Sequence, residues 1–460
     1  MVAPQIIWFR QDLRIEDQAA VAAAAAAGPV IAVYVLDDAT PGERRMGGAS
    51  RWWLHHSLAA LDTALAARGA RLLLLRGRAG VVLPELAAVT GATTVHALHH
   101  YEPYALTQQA EVAKRLDLRL HDGLTLLPPD ALTTGGGGRY RIFTPWWNAL
   151  QTHMPPHTPQ PGPARLEMAP APAGDTLTDL ALLPTRPDWA TGFRDWQPGE
   201  AGARARLEEF AGHVAGYDTG RNFPAQEATS RLSPHLHFGE ISPAQVWARL
   251  AGEPGARPFL RQIGWRDFAV QTLDAFPDLH WRAMRPEFDK IAFTGVDGGD
   301  GAYQLAAWQR GRTGYPIVDA GMRELWATGW MHNRVRMIAA SFLTKHLLID
   351  WRHGERWFWD TLVDADLANN AMGWQWVMGS GVDAAPYYRI FAPVTQSAKF
   401  DAAAYIRRWV PELAALPDKS IHAPWEHGGA RGYPPPIVDH AAARARASAA
   451  LAKVKATLAG

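Results

Sequence analysis

Apolar residues gather in short unbroken runs over the first 130 positions: QIIWF (5–9), PVIAVYVL (29–36), RLLLL (71–75) and TTVHAL (93–98). Between them lie Ala- and Leu-rich helical stretches such as SRWWLHHSLAALDTALAARG (50–69). Apolar strands alternating with helices predict an α/β domain with a Rossmann-like parallel sheet. The turn after the first run, FRQDLRIED, contains neither GxGxxG nor GxxxxGK[ST], so an ordinary dinucleotide or P-loop site is not expected there. The carboxyl edge of such a sheet is still a place for a ligand.

Farther along, the periodicity lapses and then returns in one form only. MPPHTPQPGPARLEMAPAPAGD is Pro-rich and aperiodic, which predicts an extended segment. GGGG at 135–138 reads as a flexible loop, because no helix start follows it closely. From about residue 200 strand patterns nearly vanish, and helices are predicted at 303–312, 316–329, 331–348 and 353–363. Ser233-Pro234 and Ser242-Pro243 each predict an N-cap followed by Pro at the first helical position. No internal repeat is present, so the second domain is expected to be all-α.

Composition narrows the class. A chain of 460 residues is long for one core, and 48% apolar with 20% charged residues suits a globular protein. No apolar run reaches eighteen residues and the N-terminus has no leader pattern, so a cytoplasmic protein off the membrane is expected. The absence of Cys removes disulfides, thiolate nucleophiles and thiolate metal sites, and no metal is expected. With a net charge of only +1, binding to a polyanion requires a local basic patch. Trp is the outlier, at 20 residues against 15 Phe and 11 Tyr.

Four stretches carry candidate chemistry. DADLANNAMGWQW (364–376) mixes carboxylates, Asn and Trp in a way that suits neither a surface loop nor an apolar core. In YDTGRNFPAQEATSRLSPHL (217–236), Thr229, Ser230 and Ser233 stand just ahead of a helix, where hydroxyls and free N–H groups bind phosphate or simply cap. In GWMHNRVRMIAASFL (329–343), Asn333 and Met337 share a helical face, while Arg334 and Arg336 point about 200° apart. One Arg then turns inward and needs Asp364 or Asp366 as partner; otherwise both are solvated. In RQIGWRDF (261–268), Gln262 and Trp265 lie three apart beside Arg266, which suits either a stacked, base-like ligand or plain helix packing.

WFRQDLR, TSRLSP, GWMHNRVRM, DADLANN and GWQWVMGSGVDAAPYYRIFAP together resemble the DNA photolyase and cryptochrome family, most nearly its bacterial cyclobutane-dimer photolyases, along nearly the whole chain. The resemblance implies an α/β antenna-binding domain at 1–130, an interdomain linker at 131–199 and a helical FAD-binding and catalytic domain at 200–460. It implies FAD, with Tyr217, Thr229, Ser230, Leu232 and Ser233 at the phosphates and ribityl chain. Arg266, Arg336, Asp364, Asp366 and Asn370 match positions around the flavin ring, Asn370 facing N5. The implied activity is light-dependent repair of UV-damaged DNA, in which excited reduced FAD gives an electron to a flipped-out cyclobutane pyrimidine dimer. Gln262, Trp265, Asn333, Met337, Asn370 and Trp376 form the implied catalytic set, and Trp374 and Trp351 the electron-transfer chain. Arg221, Trp265, Arg334, Trp376 and Arg389 are the implied DNA contacts, and the implied state is a monomer.

Departures from the family pattern leave choices open. Gln262 stands where cyclobutane-dimer photolyases commonly have Glu, and Gln there is a feature of six-four photolyases. Those, however, have a His-containing pattern where this chain has Asn333 and Met337. Trp265 replaces the Leu of plant cryptochromes, and Asn370 the Asp or Cys of plant and animal ones. The outer Trp of the electron chain is missing near Gly298, with Tyr303, Trp330, Trp357 and Trp359 as candidate replacements. HHYEPYALTQQAEV (99–112) resembles the deazaflavin-binding members' EPY segment, and Ala105 stands where many folate-binding members have an acidic residue. Deazaflavin, methenyltetrahydrofolate, a second flavin or no antenna all stay open. A cryptochrome-type blue-light photoreceptor and a six-four photolyase are the alternatives; the chain ends with little tail beyond an Ala-rich helical stretch, and no NAD fingerprint supports a dark oxidoreductase.

Overall fold

The computed structural model describes residues 2–384 and 389–459; residues 385–388, within the last of the five motifs, lie outside the described residues. The chain forms two compact units, one of Met1–Ala215 with Ser230–Pro277 and one of Gly216–Thr229 with Asp278–Gly460. Residues 230–277, expected to belong with the helical region, thus pack in the first unit.

The first unit is built on a five-stranded parallel sheet: β1 (Gln5–Phe9), β2 (Val30–Leu36), β3 (Leu72–Arg76), β4 (Thr94–Leu98) and β5 (Asp117–His121), in the order β3-β2-β1-β4-β5. Ile6 pairs with Ile31 on one side and Val95 on the other, and all three are buried in one apolar cluster with Trp8, Val33 and Leu83. Strands enclosed on both faces need continuous apolar runs, which is why β1, β2 and β4 stood out in the sequence. The fifth strand did not. It reads DLRLH and lies at the sheet edge with most of its side chains exposed, so its polar alternation hid it among loops.

The segment 131–199 is not uniformly extended. It contains the helix Phe143–Gln151, which buries Phe143, Trp146, Trp147 and Leu150, the i, i+3, i+4, i+7 spacing of one helical face. The Pro-rich stretch beyond is extended as expected, with Val30 N–H bonded to Glu167 and Asp175 N–H to Leu74. Ser242 caps the helix Pro243–Leu250 in a reciprocal capping box with Gln245. Ser233 does not cap. Arg231 takes a positive φ of 51°, Leu232 is already in the helical region, and Ser233 becomes the first residue inside the helix Ser233–His237.

The second unit contains no named strand among the described residues, and its helices include Gly299–Gln309, Pro316–Thr328, Asn333–Ser341, Trp351–Thr361 and Leu367–Met378. The single helix expected at 331–348 is divided: an α-helix ends at Ser341 and a π-turn, Phe342–His346, follows. Gly354 has a steric reason. A Cβ there would come within 2.1 Å of the Trp374 ring. No helix among the described residues is long and apolar enough to cross a membrane.

Candidate functional site

In the second unit, the stretch 364–376 divides its polar work between two carboxylates. Asp366 caps the helix Leu367–Met378, its Oδ1 accepting from the Asn369 main-chain N–H and from Asn369 Nδ2, both at 2.7 Å. Asp364 takes the inward Arg336 instead, with two hydrogen bonds of 3.1 and 2.8 Å, and Arg336 Nε donates to the Met331 carbonyl. A bidentate pair of this kind fixes direction as well as charge. One turn into the helix, Asn370 Nδ2 donates to the carbonyl and to Oε1 of Glu355, each at 3.0 Å. Glu355 is fully buried on the neighbouring helix. Because it occupies the amide's donor end, Asn370 is left to present Oδ1. Glu355 was not picked out in the sequence; its function depends on a partner fifteen residues away.

The aromatic residues of that helix face different ways. Trp374 is buried, and the rings meeting it are Trp308, at 6.2 Å between centroids, and Phe358, at 5.0 Å. Trp308 was missed in the sequence. It is fully buried, and its indole N–H donates to the Ala339 carbonyl. Trp351 is buried too, with the Arg352 guanidinium over its ring at 4.9 Å. Trp376 is only half-buried. Of the candidate outer donors, Tyr303 is 64% exposed, Trp357 is half-buried and stacks on the exposed Trp326, and Trp330 and Trp359 are buried.

Helical geometry separates the residues of Asn333–Ser341 as expected. Asn333 is exposed and Met337 half-buried on one face. Arg334 departs from Arg336, hydrogen-bonds Asn222 and lies over the Phe400 ring at 4.5 Å. Burial, with repulsion from Arg221 and Arg389, lowers the affinity of the Arg334 guanidinium for its proton. Arg334 is therefore within electrostatic reach of both Arg221 and Arg389. Arg221 lies over the ring of Tyr217, whose phenol burial pushes up. Thr229 is half-buried, and its hydroxyl makes no hydrogen bond among the described residues.

In the first unit, the helix Arg257–Ala275 carries Gln262, Trp265 and Arg266. The Gln262 amide is half-buried and makes only a long contact, 3.5 Å, to the Pro258 carbonyl. One face of Trp265 stacks on Phe143, 3.8 Å between centroids at 8°, and its edge meets Phe268. Gly264 lets Trp147 lie against the same helix, since a Cβ there would approach its ring to 2.5 Å. Arg266 bridges the carbonyls of Leu124 and Leu236. Its neighbour Asp267 accepts the Leu126 N–H at 2.6 Å, while Oδ1 is buried without a hydrogen-bond partner. Burial raises this carboxyl to about 7 against the pull of Arg266. Ser230 Oγ accepts the Leu232 N–H, Leu232 is buried, and the exposed Ser233 hydroxyl makes no hydrogen bond among the described residues.

The carboxyl edge of the sheet is bridged by its own side chains. Asp37, after β2, accepts from Thr40, Ala79 and Gln108, and Arg10, after β1, binds the Leu98 carbonyl and Gln109. Away from these residues the same unit holds a cavity of about 350 Å³ lined by Trp52, His56, Asp188, Arg194 and Trp196, among others. The sequence did not indicate it, because its walls come from the helix Gly48–Ala66 and the irregular segment after 180.

Residues 5–164 match the family model described as DNA photolyase, and residues 259–453 the FAD binding domain of DNA photolyase. A deoxyribodipyrimidine photo-lyase of Agrobacterium fabrum is 47% identical, over 99% of this chain and 99% of its own. A bacterial class III photolyase structure from Agrobacterium tumefaciens superposes with a TM-score of 0.93 at 48% identity, covering 99% of this chain and 98% of the other. An archaeal photolyase from Sulfolobus tokodaii, solved with two FAD molecules, gives 0.83 at 28% identity over 98% and 100% of the two chains. On the strength of this identity along its full length and the shared α/β-plus-helical architecture, the chain belongs to the DNA photolyase family.

Proposed function

We propose that this chain uses blue light to split cyclobutane pyrimidine dimers in DNA, with FAD as its working cofactor. Family membership supports light-dependent DNA repair. The observation that carries the finer reading is the helix Leu367–Met378, which combines an Asn370 amide clamped by Glu355 at one end with a buried Trp374 and a half-buried Trp376 at the other. The residues fit a flavin: the hydroxyls of Thr229 and Ser233 have no hydrogen-bond partner among the described residues, which suits phosphate oxygens, and Asn370 offers an acceptor to a ring N–H. Tyr217, Ser230, Leu232 and Arg266 complete the proposed set with Arg336, Asp364 and Asp366. When bound, FAD supplies the photoexcited electron that opens the dimer and takes it back afterwards.

The protein's own part is to position and to polarise. Trp265, stacked from one side by Phe143, and Trp376 serve as aromatic walls for the extruded bases, with Asn333 and Met337 at the dimer. Gln262 donates an N–H to a dimer carbonyl, where developing negative charge strengthens the bond. Arg221, Arg334 and Arg389 anchor backbone phosphates, so affinity falls as salt rises. Electrons for reducing the flavin enter through Trp374, with Trp351 next in the proposed chain and Trp308 in ring contact with Trp374.

Oligonucleotides carrying either a cyclobutane dimer or a six-four photoproduct, incubated with reduced protein in light and dark, test the reading. Light-dependent loss of the cyclobutane dimer alone is expected. Loss of the six-four product alone would reassign the substrate, and loss of neither would leave blue-light signalling as the better account.

A light-harvesting chromophore is proposed for the aromatic cavity. Two indoles and an imidazole with one Asp and one Arg suit a planar heteroaromatic ring bearing polar groups. Trp52→Ala with Trp196→Ala should remove any absorption band that is not FAD from the purified protein, with FAD content kept. Retention of that band would place the chromophore elsewhere.

A further inference from the structure

The helix Asn333–Ser341 carries Asn333, Arg334, Arg336 and Met337, and at its end the backbone widens into the π-turn Phe342–His346. A π-turn gives up regular helical hydrogen bonding and is frequent at functional sites. This one encloses Lys345, which has no exposed surface. A buried ammonium persists only when it is given acceptors. Here Nζ donates to the main-chain carbonyl of Arg389 at 3.0 Å. Ser341, the residue just before the turn, accepts the Phe391 N–H at 3.4 Å through its hydroxyl. Two contacts from adjoining parts of one element thus hold the main chain on both sides of residue 390.

We infer that Lys345 is a positioning residue for DNA binding, which holds the Arg389 main chain from inside the protein so that the Arg389 side chain meets a phosphate. The inference rests on the proposed function of Arg389 as an anchor. Lys345 is fully enclosed, so it touches no DNA and acts through the main chain that it holds. The same helix presents Arg334, which feels the charge of Arg389, so the turn adjoins two of the proposed anchors.

Protonation follows from the same contacts. Burial and repulsion from Arg389 hold the Lys345 ammonium down at about 7. Among the described residues, other charged or titratable groups at this turn include His346, hydrogen-bonded to His440, and Arg446, which donates to the His346 carbonyl. Burial keeps both His neutral near pH 7. A phosphate at Arg389 offsets the repulsion and raises the bound-state proton affinity of Lys345. DNA binding is then coupled to proton uptake, and affinity falls as pH rises above about 7.

The test is a double-mutant cycle on the full-length holoprotein, measuring affinity for a duplex with one cyclobutane dimer across that pH range. FAD content and melting temperature serve as folding controls. Lys345→Met is expected to weaken binding roughly tenfold, to flatten the pH profile, and to add nothing in an Arg389→Ala background. Equal losses in both backgrounds, or none in either, overturn the inference. If Arg389→Ala itself leaves affinity unchanged, the anchor reading fails first and takes the inference with it. Should Lys345→Met not fold, Lys345→Gln takes its place in the cycle; it keeps an N–H donor without the charge. It is expected to bind within about threefold of wild type near neutral pH and to lose the pH dependence. A pH profile like that of wild type overturns the inference.

Discussion

Asp267 is completely enclosed, with the Leu126 N–H on one oxygen and no hydrogen-bond partner on the other. Burial outweighs the attraction of Arg266 and raises its carboxyl to about 7, whereas in the unfolded chain an Asp titrates near ~3.9. Between about pH 4 and 7 the folded protein keeps a proton that the unfolded chain has lost, so this residue makes stability fall as pH rises through that window and level off above it. Asp267→Asn should remove that slope: urea unfolding at about pH 5 and pH 7.5 should differ less in the variant, by an amount on the order of 2–4 kcal/mol. The same pH dependence in both proteins would show that Asp267 ionises normally. Residue-scale features were legible where they depend on near neighbours. The divergence of Arg334 and Arg336 follows from helix geometry, but the choice of Asp364 over Asp366 depended on which carboxylate the next helix took as its cap. Glu355 and Lys345 gave no local signal, because a buried charge is explained only by a partner distant in sequence.

At the scale of elements, Leu367–Met378 works as a rigid carrier. Its position depends on Gly354, where the Trp374 ring lies against a helix backbone with no room for a Cβ. Trp374 meets Trp308 and Phe358, all three buried, so an electron moving inward to the proposed flavin through Trp374 comes by way of a packed aromatic cluster rather than directly from solvent. Trp374→Phe should suppress photoreduction of oxidised protein by at least about tenfold while repair by chemically reduced protein continues. Unchanged photoreduction would mean that electrons enter by another route. Elements were legible in proportion to how fully they are buried. The inner strands announced themselves as continuous apolar runs, whereas the edge strand Asp117–His121 carries the polar alternation of a half-solvated surface. The π-turn within 331–348 was hidden, since the apolar spacing runs on through it and only the tertiary contacts of Lys345 and His346 require the extra residue.

For the molecule as a whole, a net charge of +1 says nothing about DNA; the proposed contact rests on the local grouping of Arg221 and Arg389 with Arg334. Five ordered motifs made the family legible without a structure. The aromatic cavity was not legible, because the irregular segment after residue 180 supplies most of its walls.

The central claim is that light acting on FAD-loaded protein splits a cyclobutane dimer. It is tested most directly by illuminating stoichiometric complexes of the protein with a duplex carrying one such dimer and following the return of base absorbance near 260 nm. Recovery in blue light with chemically reduced protein, and none in the dark or with oxidised protein, is the predicted result. No recovery under illumination of the reduced complex would contradict it.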